Sequence, residues 1–149
     1  RMRAAGVAPT VVSYSSLVDA YAKQGRAADA AACLEQMEAA RTAPNVVTYN
    51  SVVNACARQA NVEGAVGWLE RLAAAALQPD AVTFNSVVNA CSRAARADEA
   101  VAWMARMEAA RLRADAVTYN SVLHGCAREG RSAEAAAWLR RMERASLRP

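Results

Sequence analysis

Polar side chains recur at i, i+4 and i+8 in several short segments of this 149-residue chain. In one segment they are Asn50, Asn54 and Arg58, which share one face if the segment is helical. An asparagine amide offers a donor and an acceptor to a nucleobase edge, and a guanidinium matches a phosphate. The third position of each stripe is always a cation: Lys23, Arg58, Arg93 and Arg128. We therefore expect these cations to form a ladder that contacts the phosphates of a single strand.

The same stripe is also what the solvated face of any amphipathic helix looks like. Its recurrence in four segments favours the ligand-binding interpretation, because a merely solvated face accepts any polar residue. The net charge of +4 rests on arginine, since Lys23 is the only lysine, and points weakly in the same direction.

The chain is an internal repeat with a period of 35 residues. Three markers share this spacing, namely a cysteine (56, 91, 126), a tryptophan (68, 103, 138) and an asparagine (50, 85, 120). The predicted units are a truncated repeat end at 1–10 and repeats at 11–45, 46–80, 81–115 and 116–149, the last without its final residue.

Each unit reads as two helices separated by a short break. The first helix is predicted to be opened by a hydroxyl residue (Ser13, Thr48, Thr83 or Thr118) and the second to be stopped by a proline (Pro9, Pro44, Pro79 or Pro149). Apolar residues follow helical spacing, and 54% of residues are hydrophobic while 5% are aromatic, which suits closely packed helices. A hairpin of this size cannot bury both faces alone, so we predict an all-α fold, an α-solenoid of about four stacked hairpins.

Other residues of chemical interest have simpler explanations. The four cysteines lack the paired spacing of a zinc site, and successive copies are expected too far apart for disulfides, so we expect buried thiols. Trp68, Trp103 and Trp138 fall on the apolar face, which favours core packing over base stacking. His124 lies on the polar stripe without a catalytic partner. The sequence predicts no enzyme, metal site, cofactor, small-molecule substrate or membrane span.

The segment "VTYNSVVNACARQANVEGAVGWLERLAAAALQPD" resembles a near-consensus pentatricopeptide repeat (PPR), from the P class of arrays built only of 35-residue units. The resemblance covers essentially the whole chain and implies a right-handed superhelix that is a fragment of a longer array. Tetratricopeptide repeats are related, but their usual 34-residue period and Trp and Leu-Gly signature are missing.

The resemblance implies that each repeat reads one RNA base through the residue after the "TY" element and the last residue of the repeat. The implied pairs are Ser15 with Asn45, Asn50 with Asp80, Asn85 with Asp115, and Asn120 with an unseen partner. The implied preference, 5′ to 3′, is A-U-U-pyrimidine. It also implies that aliphatic residues clamp the bases, although packing at the helix start is the alternative; the matching residues are Val12, Val47, Val82 and Val117. The basic ladder corresponds to phosphate-contacting positions. Ala114 replaces the recurring proline, which makes Asp115 the least secure of these assignments.

We therefore expect sequence-selective binding of single-stranded RNA, in processing, stability or translation of RNA in a mitochondrion or chloroplast. Other RNA-processing proteins are further possible partners. The alternative is a tetratricopeptide-like scaffold whose inner face binds a peptide, and a third possibility is an enzyme domain outside this segment.

Overall fold

The computed structural model describes residues 10–145, and within this range the chain forms eight α-helices and no strand. The helices are α1 (Val11–Lys23), α2 (Ala27–Ala39), α3 (Val46–Arg58), α4 (Val62–Ala74), α5 (Ala81–Arg93), α6 (Ala97–Ala109), α7 (Ala116–Arg128) and α8 (Ser132–Arg144). None of these helices is long and apolar enough to cross a membrane. Pro9, Pro149 and nearly all of the segment 1–10 lie outside the described residues.

The helices form two layers. The odd-numbered helices pack on one another in chain order, and each packs on the even-numbered helix that follows it. Each even-numbered helix also packs on the next odd-numbered helix. It therefore contacts both the first helix of its own hairpin and the first helix of the next hairpin. The prediction of an all-α helical repeat fold is confirmed. The odd-numbered helices begin where the predicted repeats begin, and we call their layer the first-helix layer.

The predicted apolar stripes are buried between the layers. Tyr49, Val52, Val53 and Cys56 of α3 are all buried, and Trp68 of α4 lies at a tilt against Tyr49 with ring centroids 6.3 Å apart. Equivalent tyrosine or phenylalanine and tryptophan pairs recur in the next two hairpins at 6.2 Å. Trp68 and Trp103 are therefore core residues, as predicted.

The four cysteines are buried free thiols. Burial raises the pKa of Cys91 to about 11 and also raises the pKa of Cys33, Cys56 and Cys126. A raised thiol pKa disfavours the thiolate that a nucleophile or zinc ligand needs. Among the described residues, no group of three or more His, Cys, Asp or Glu side chains could hold a metal ion.

The first helix of each repeat begins earlier than the sequence suggested. The N-caps are Thr10, Asn45, Asp80 and Asp115, and the predicted hydroxyl residues lie three positions inside the helix. In α5 the Asp80 carboxylate accepts from the Thr83 N–H at 3.1 Å, and the Thr83 hydroxyl accepts from the Asp80 N–H at 3.1 Å. This reciprocal capping box satisfies two otherwise unpaired donors, so the threonine does cap the helix, but from the N3 position.

The prediction that proline stops the second helix is wrong within the described residues. Helix α2 ends at Ala39, where the chain turns through Arg41 at φ 56° and Thr42 donates its N–H to the Met37 carbonyl at 3.0 Å. This is a Schellman-type ending, and it recurs at Arg111 (φ 61°), which precedes Ala114 rather than a proline. The turn therefore ends the helix whether or not a proline follows.

Arginines tie successive second helices together. Arg71 of α4 pairs with Glu38 of α2 at 2.5 Å, and its guanidinium lies 4.1 Å from the centroid of the Trp68 ring. Arg141 repeats both contacts, with Glu108 and with Trp138. The cation–π and ion-pair contacts give these two arginines a structural role.

Candidate nucleic-acid interface

A groove of about 650 Å³ runs along the first-helix layer across several repeats. It brings together a large part of the predicted site: Lys23, Val47, Asn50, Arg58, Asp80, Val82, Asn85 and Val117. The remaining predicted residues do not line the groove but occupy equivalent positions in the other repeats: Val12, Ser15, Asn45, Arg93, Asp115, Asn120 and Arg128. The groove also holds Asp19, Asn54 and Asn89, the middle positions of the polar stripes.

Asn50 is not a free surface amide, because only 8% of it is exposed. Its Nδ2 donates to Asp80 Oδ1 at 3.0 Å, and its Oδ1 accepts from the Thr83 hydroxyl at 2.6 Å. The Thr83 hydroxyl has one proton, so its 3.0 Å contact with Asp80 Oδ1 competes with the bond to Asn50. These contacts fix the orientation of the Asn50 amide within the groove.

The network leaves two polar groups with spare capacity. Among the described residues, Asp80 Oδ2 makes no hydrogen bond, and the second Nδ2 proton of Asn50 has no acceptor. One donor on Asn50 and one acceptor on Asp80 are therefore left without a partner, and both residues line the groove.

The same link between repeats recurs along the layer. The Thr118 hydroxyl donates to Asn85 Oδ1, and the Ser15 and Thr48 hydroxyls are 2.9 Å apart. The third repeat differs from the second, since within residues 10–145 no hydrogen bond joins Asn85 to Asp115. Asn120 of α7 is exposed.

Sequence reasoning missed the role of Thr48, Thr83 and Thr118 in orienting the candidate base-reading residues. Each threonine was assigned only to its own helix start. The available signal was that every such hydroxyl stands 33 positions after a polar residue of the preceding repeat, the separation at which the hydrogen bonds form.

The four predicted clamp residues are exposed apolar side chains. Val12 is 74% exposed, Val47 69%, Val82 55% and Val117 60%. Exposure of this degree does not fit packing at the helix start. Only two other large hydrophobic residues in the described range are exposed, so these valines form a periodic apolar row that folding does not account for.

The basic ladder lies in the last turns of α1, α3, α5 and α7, and all four cations are exposed. Lys23 pairs with Asp19 of the same helix at 2.8 Å. Within residues 10–145, Arg58, Arg93 and Arg128 make no ion pair. Cations at a helix C-terminus also offset the helix dipole, but this effect does not require the shared position at the same residue of every first helix, from which Lys23 and Arg58 line the groove.

Family models for pentatricopeptide repeats match most of the chain. The model of the PPR repeat family matches residues 9–58 and 79–128, the PPR repeat model matches 117–147, and the pentatricopeptide repeat domain model matches 37–94. A comparison with curated protein sequences finds no match.

Solved structures of PPR proteins superpose on the chain. Maize PPR10 is 26% identical with a TM-score of 0.86, and the match covers 99% of this chain. PPR10 in complex with an 18-nt psaJ RNA element is 31% identical with the same TM-score over 97% of this chain. The chain spans 21% of the length of PPR10 in both matches.

The PPR domain of Arabidopsis thaliana protein-only RNase P 1, in complex with tRNA, is 16% identical with a TM-score of 0.82. That match covers 99% of this chain and 78% of the PPR-domain chain, and at this identity it shows the fold alone. Since the PPR repeat family model alone matches more than half of the residues, this chain belongs to the pentatricopeptide repeat family.

Proposed function

We propose that the chain binds single-stranded RNA in the groove of the first-helix layer and selects its sequence at one base per repeat. The observation that carries this proposal is the row of exposed valines beside the fixed Asn50 amide and the exposed cations, with the valines and cations recurring once in each 35-residue repeat. It is supported by PPR10, which is similar over nearly the whole chain and was crystallised with an RNA element.

The second repeat has the polar groups that a uracil requires. Uracil offers an N–H donor flanked by carbonyl acceptors, and the free Asp80 Oδ2 and spare Asn50 N–H are complementary to such an edge. An adenine has a ring-nitrogen acceptor at the corresponding position, which a carboxylate repels. Asn50 with Asp80 is therefore expected to select uracil over adenine.

The first repeat carries Ser15 with Asn45, whose amide can donate to the adenine ring nitrogen. The third repeat carries Asn85 with Asp115 and selects uracil, and Asn120 in the fourth selects a pyrimidine. The proposed order, 5′ to 3′ along the chain, is A-U-U-pyrimidine.

The valines and cations supply sequence-independent affinity. Val47 and Val82 flank the second reading position, where an apolar side chain can lie against a base face. The cations neutralise phosphates, and four full contacts would make log affinity fall with log salt with a slope of about −3, at roughly −0.7 per contact for single strands.

The biological role follows from occupying RNA. We propose a non-catalytic role in processing, stability or translation of organellar RNA in mitochondria or chloroplasts, acting with other RNA-processing proteins or by blocking nucleases. Peptide binding by the same groove remains the competing function.

The test exchanges the reading pair of the second repeat for that of the first, Asn50→Ser together with Asp80→Asn. Both replacements occur at equivalent positions in repeat 1, where Ser15 contacts Thr48 and Asn45 caps α3, so the fold should persist. Binding to short RNAs that vary only at the second nucleotide should change in preference from uracil to adenine.

The matched control is Asn85→Ser together with Asp115→Asn, which should move preference at the third nucleotide and leave the second unchanged. An unchanged base profile in both variants would overturn the proposed code. Affinity that depends on neither salt nor base identity would overturn RNA binding itself and favour a protein-binding scaffold.

A further inference from the structure

The middle residue of each polar stripe separates the repeats into two electrostatic classes. It lies one turn before the cation and is Asp19 in α1, Asn54 in α3, Asn89 in α5 and His124 in α7. Only the first of these side chains is a carboxylate. Asp19 and Lys23 both line the groove, as do Asn54 and Arg58 of the next repeat.

Asp19 forms an ion pair with Lys23, the cation that would otherwise contact phosphate. Its Oδ2 is 2.8 Å from Lys23 Nζ, and the pair lies within one helix at i, i+4. The Lys23 and Asp19 side chains are 73% and 48% exposed, and exposed pairs of this kind stabilise a fold very little. The ion pair therefore matters more for the charge of the groove than for folding.

The corresponding arginines of the other repeats keep their full charge. Among residues 10–145, the amides of Asn54 and Asn89 form no hydrogen bond, and both are half-buried in the groove wall. They can donate to a phosphate or sugar oxygen beside the neighbouring arginine without neutralising it. Arginine also binds phosphate through two N–H groups, whereas lysine acts as a point charge.

We propose that the residue one turn before each cation sets how strongly that repeat holds the RNA backbone. An aspartate makes the first repeat a weak phosphate site, and the asparagines and histidine make the next three strong sites. The proposal rests on the proposed RNA binding and adds a residue that neither reads a base nor carries the positive charge.

The size of the effect follows from Coulomb's law. Lys23 Nζ is 2.8 Å from the Asp19 carboxylate, and a phosphate oxygen in contact with Nζ would be at a similar distance on its other side. The phosphate oxygen would then lie about 6 Å from the carboxylate. Removing one unit charge at about 6 Å in water changes affinity about threefold at low salt. Freeing the lysine for a full phosphate contact should also make the salt slope steeper by about 0.7.

The experiment measures binding of the chain to a fluorescently labelled single-stranded RNA containing A-U-U-U over a range of salt concentrations. Asp19→Asn should tighten binding about threefold at low salt and steepen the salt slope, irrespective of the base opposite the first repeat. Asn54→Asp should weaken binding by a similar factor and flatten the slope. In the combined variant the two effects should largely cancel.

The controls make the same charge changes on the second helix of the first repeat. Asp29→Asn removes a carboxylate that pairs with Arg26 at 2.7 Å, and Gln36→Glu adds a carboxylate at an exposed position of α2. Both should change affinity less than their groove counterparts. Groove variants that match these controls would overturn the inference while RNA binding stands, whereas failure of the unmodified chain to bind RNA would overturn the proposed function.

Discussion

The hydroxyl of Thr83 joins the start of α5 to the candidate reading residue of the preceding repeat, and its removal should be costly. Thr83→Val keeps a β-branched shape in a side chain that is completely buried. The change leaves no cavity but deletes the oxygen that accepts from the Asp80 N–H at 3.1 Å and donates to Asn50 Oδ1 at 2.6 Å. The perturbation therefore isolates hydrogen bonding from packing.

The expected loss is about 2 kcal/mol of unfolding free energy. Two hydrogen bonds are lost, each worth about 1 kcal/mol net, and the buried Asn50 carbonyl oxygen loses its donor. Valine and threonine have similar helix propensity, so this contribution is small. The measurement is urea unfolding followed by circular dichroism, with the slope compared between variants.

The matched control is Ser13→Ala, at the equivalent position of α1. Ser13 caps with Thr10 at an exposed site, so its loss should cost no more than about 1 kcal/mol. A cycle with Asn50→Ala should give a coupling to Thr83 of about 1 kcal/mol. A Thr83→Val loss below about 0.5 kcal/mol, or one equal to the control, would refute the role of this hydroxyl between repeats.

Two further outcomes test the valine row and the hydrogen bond from Tyr49 to Glu38. Val82→Ser should weaken RNA binding about fivefold, since about 1 kcal/mol of apolar contact with a base is lost, while urea stability changes by less than about 0.5 kcal/mol; equal losses of affinity and stability would contradict the clamp. Burial and the hydrogen bond to Glu38 raise the pKa of Tyr49 from 10 to about 12, so the stability it contributes is complete below pH 10 and is lost as the pH rises towards 12. Tyr49→Phe should lower the free energy of unfolding by about 1 kcal/mol at pH 7 and by progressively less above pH 10, which urea unfolding at several pH values would measure. Phe84 at the equivalent position indicates that the ring packs there without the hydroxyl.

The elements that local sequence determines were predictable. The spacing of Tyr49, Val52, Val53 and Cys56 identifies a buried helix face without knowledge of the neighbouring helix, because the α-helical period is fixed. The 35-residue period then implies that identical faces stack.

What the sequence did not reveal depends on contacts between repeats or on unusual backbone. Thr83 reaches Asn50 only after two hairpins have packed, so its second role has no local signal. The turn at Arg41 has a positive φ without glycine, and the conspicuous Pro44 was mistaken for its cause. The sequence likewise did not determine whether Val82 is exposed, because a valine near a helix start packs or faces solvent according to its neighbours in the fold.

The N-cap geometry limits which residue types can occupy the second position of each proposed reading pair. The second residue of each proposed reading pair is also the first-helix N-cap of the following repeat, as Asn45, Asp80 and Asp115 are here. Helices accept mainly Asn, Asp, Ser, Thr and Gly at that position, and other residues cost about 1 kcal/mol. Only a few residue types can therefore serve for base recognition at this position. Additional base discrimination has to come from the other residue of the pair, on the first helix of the same repeat.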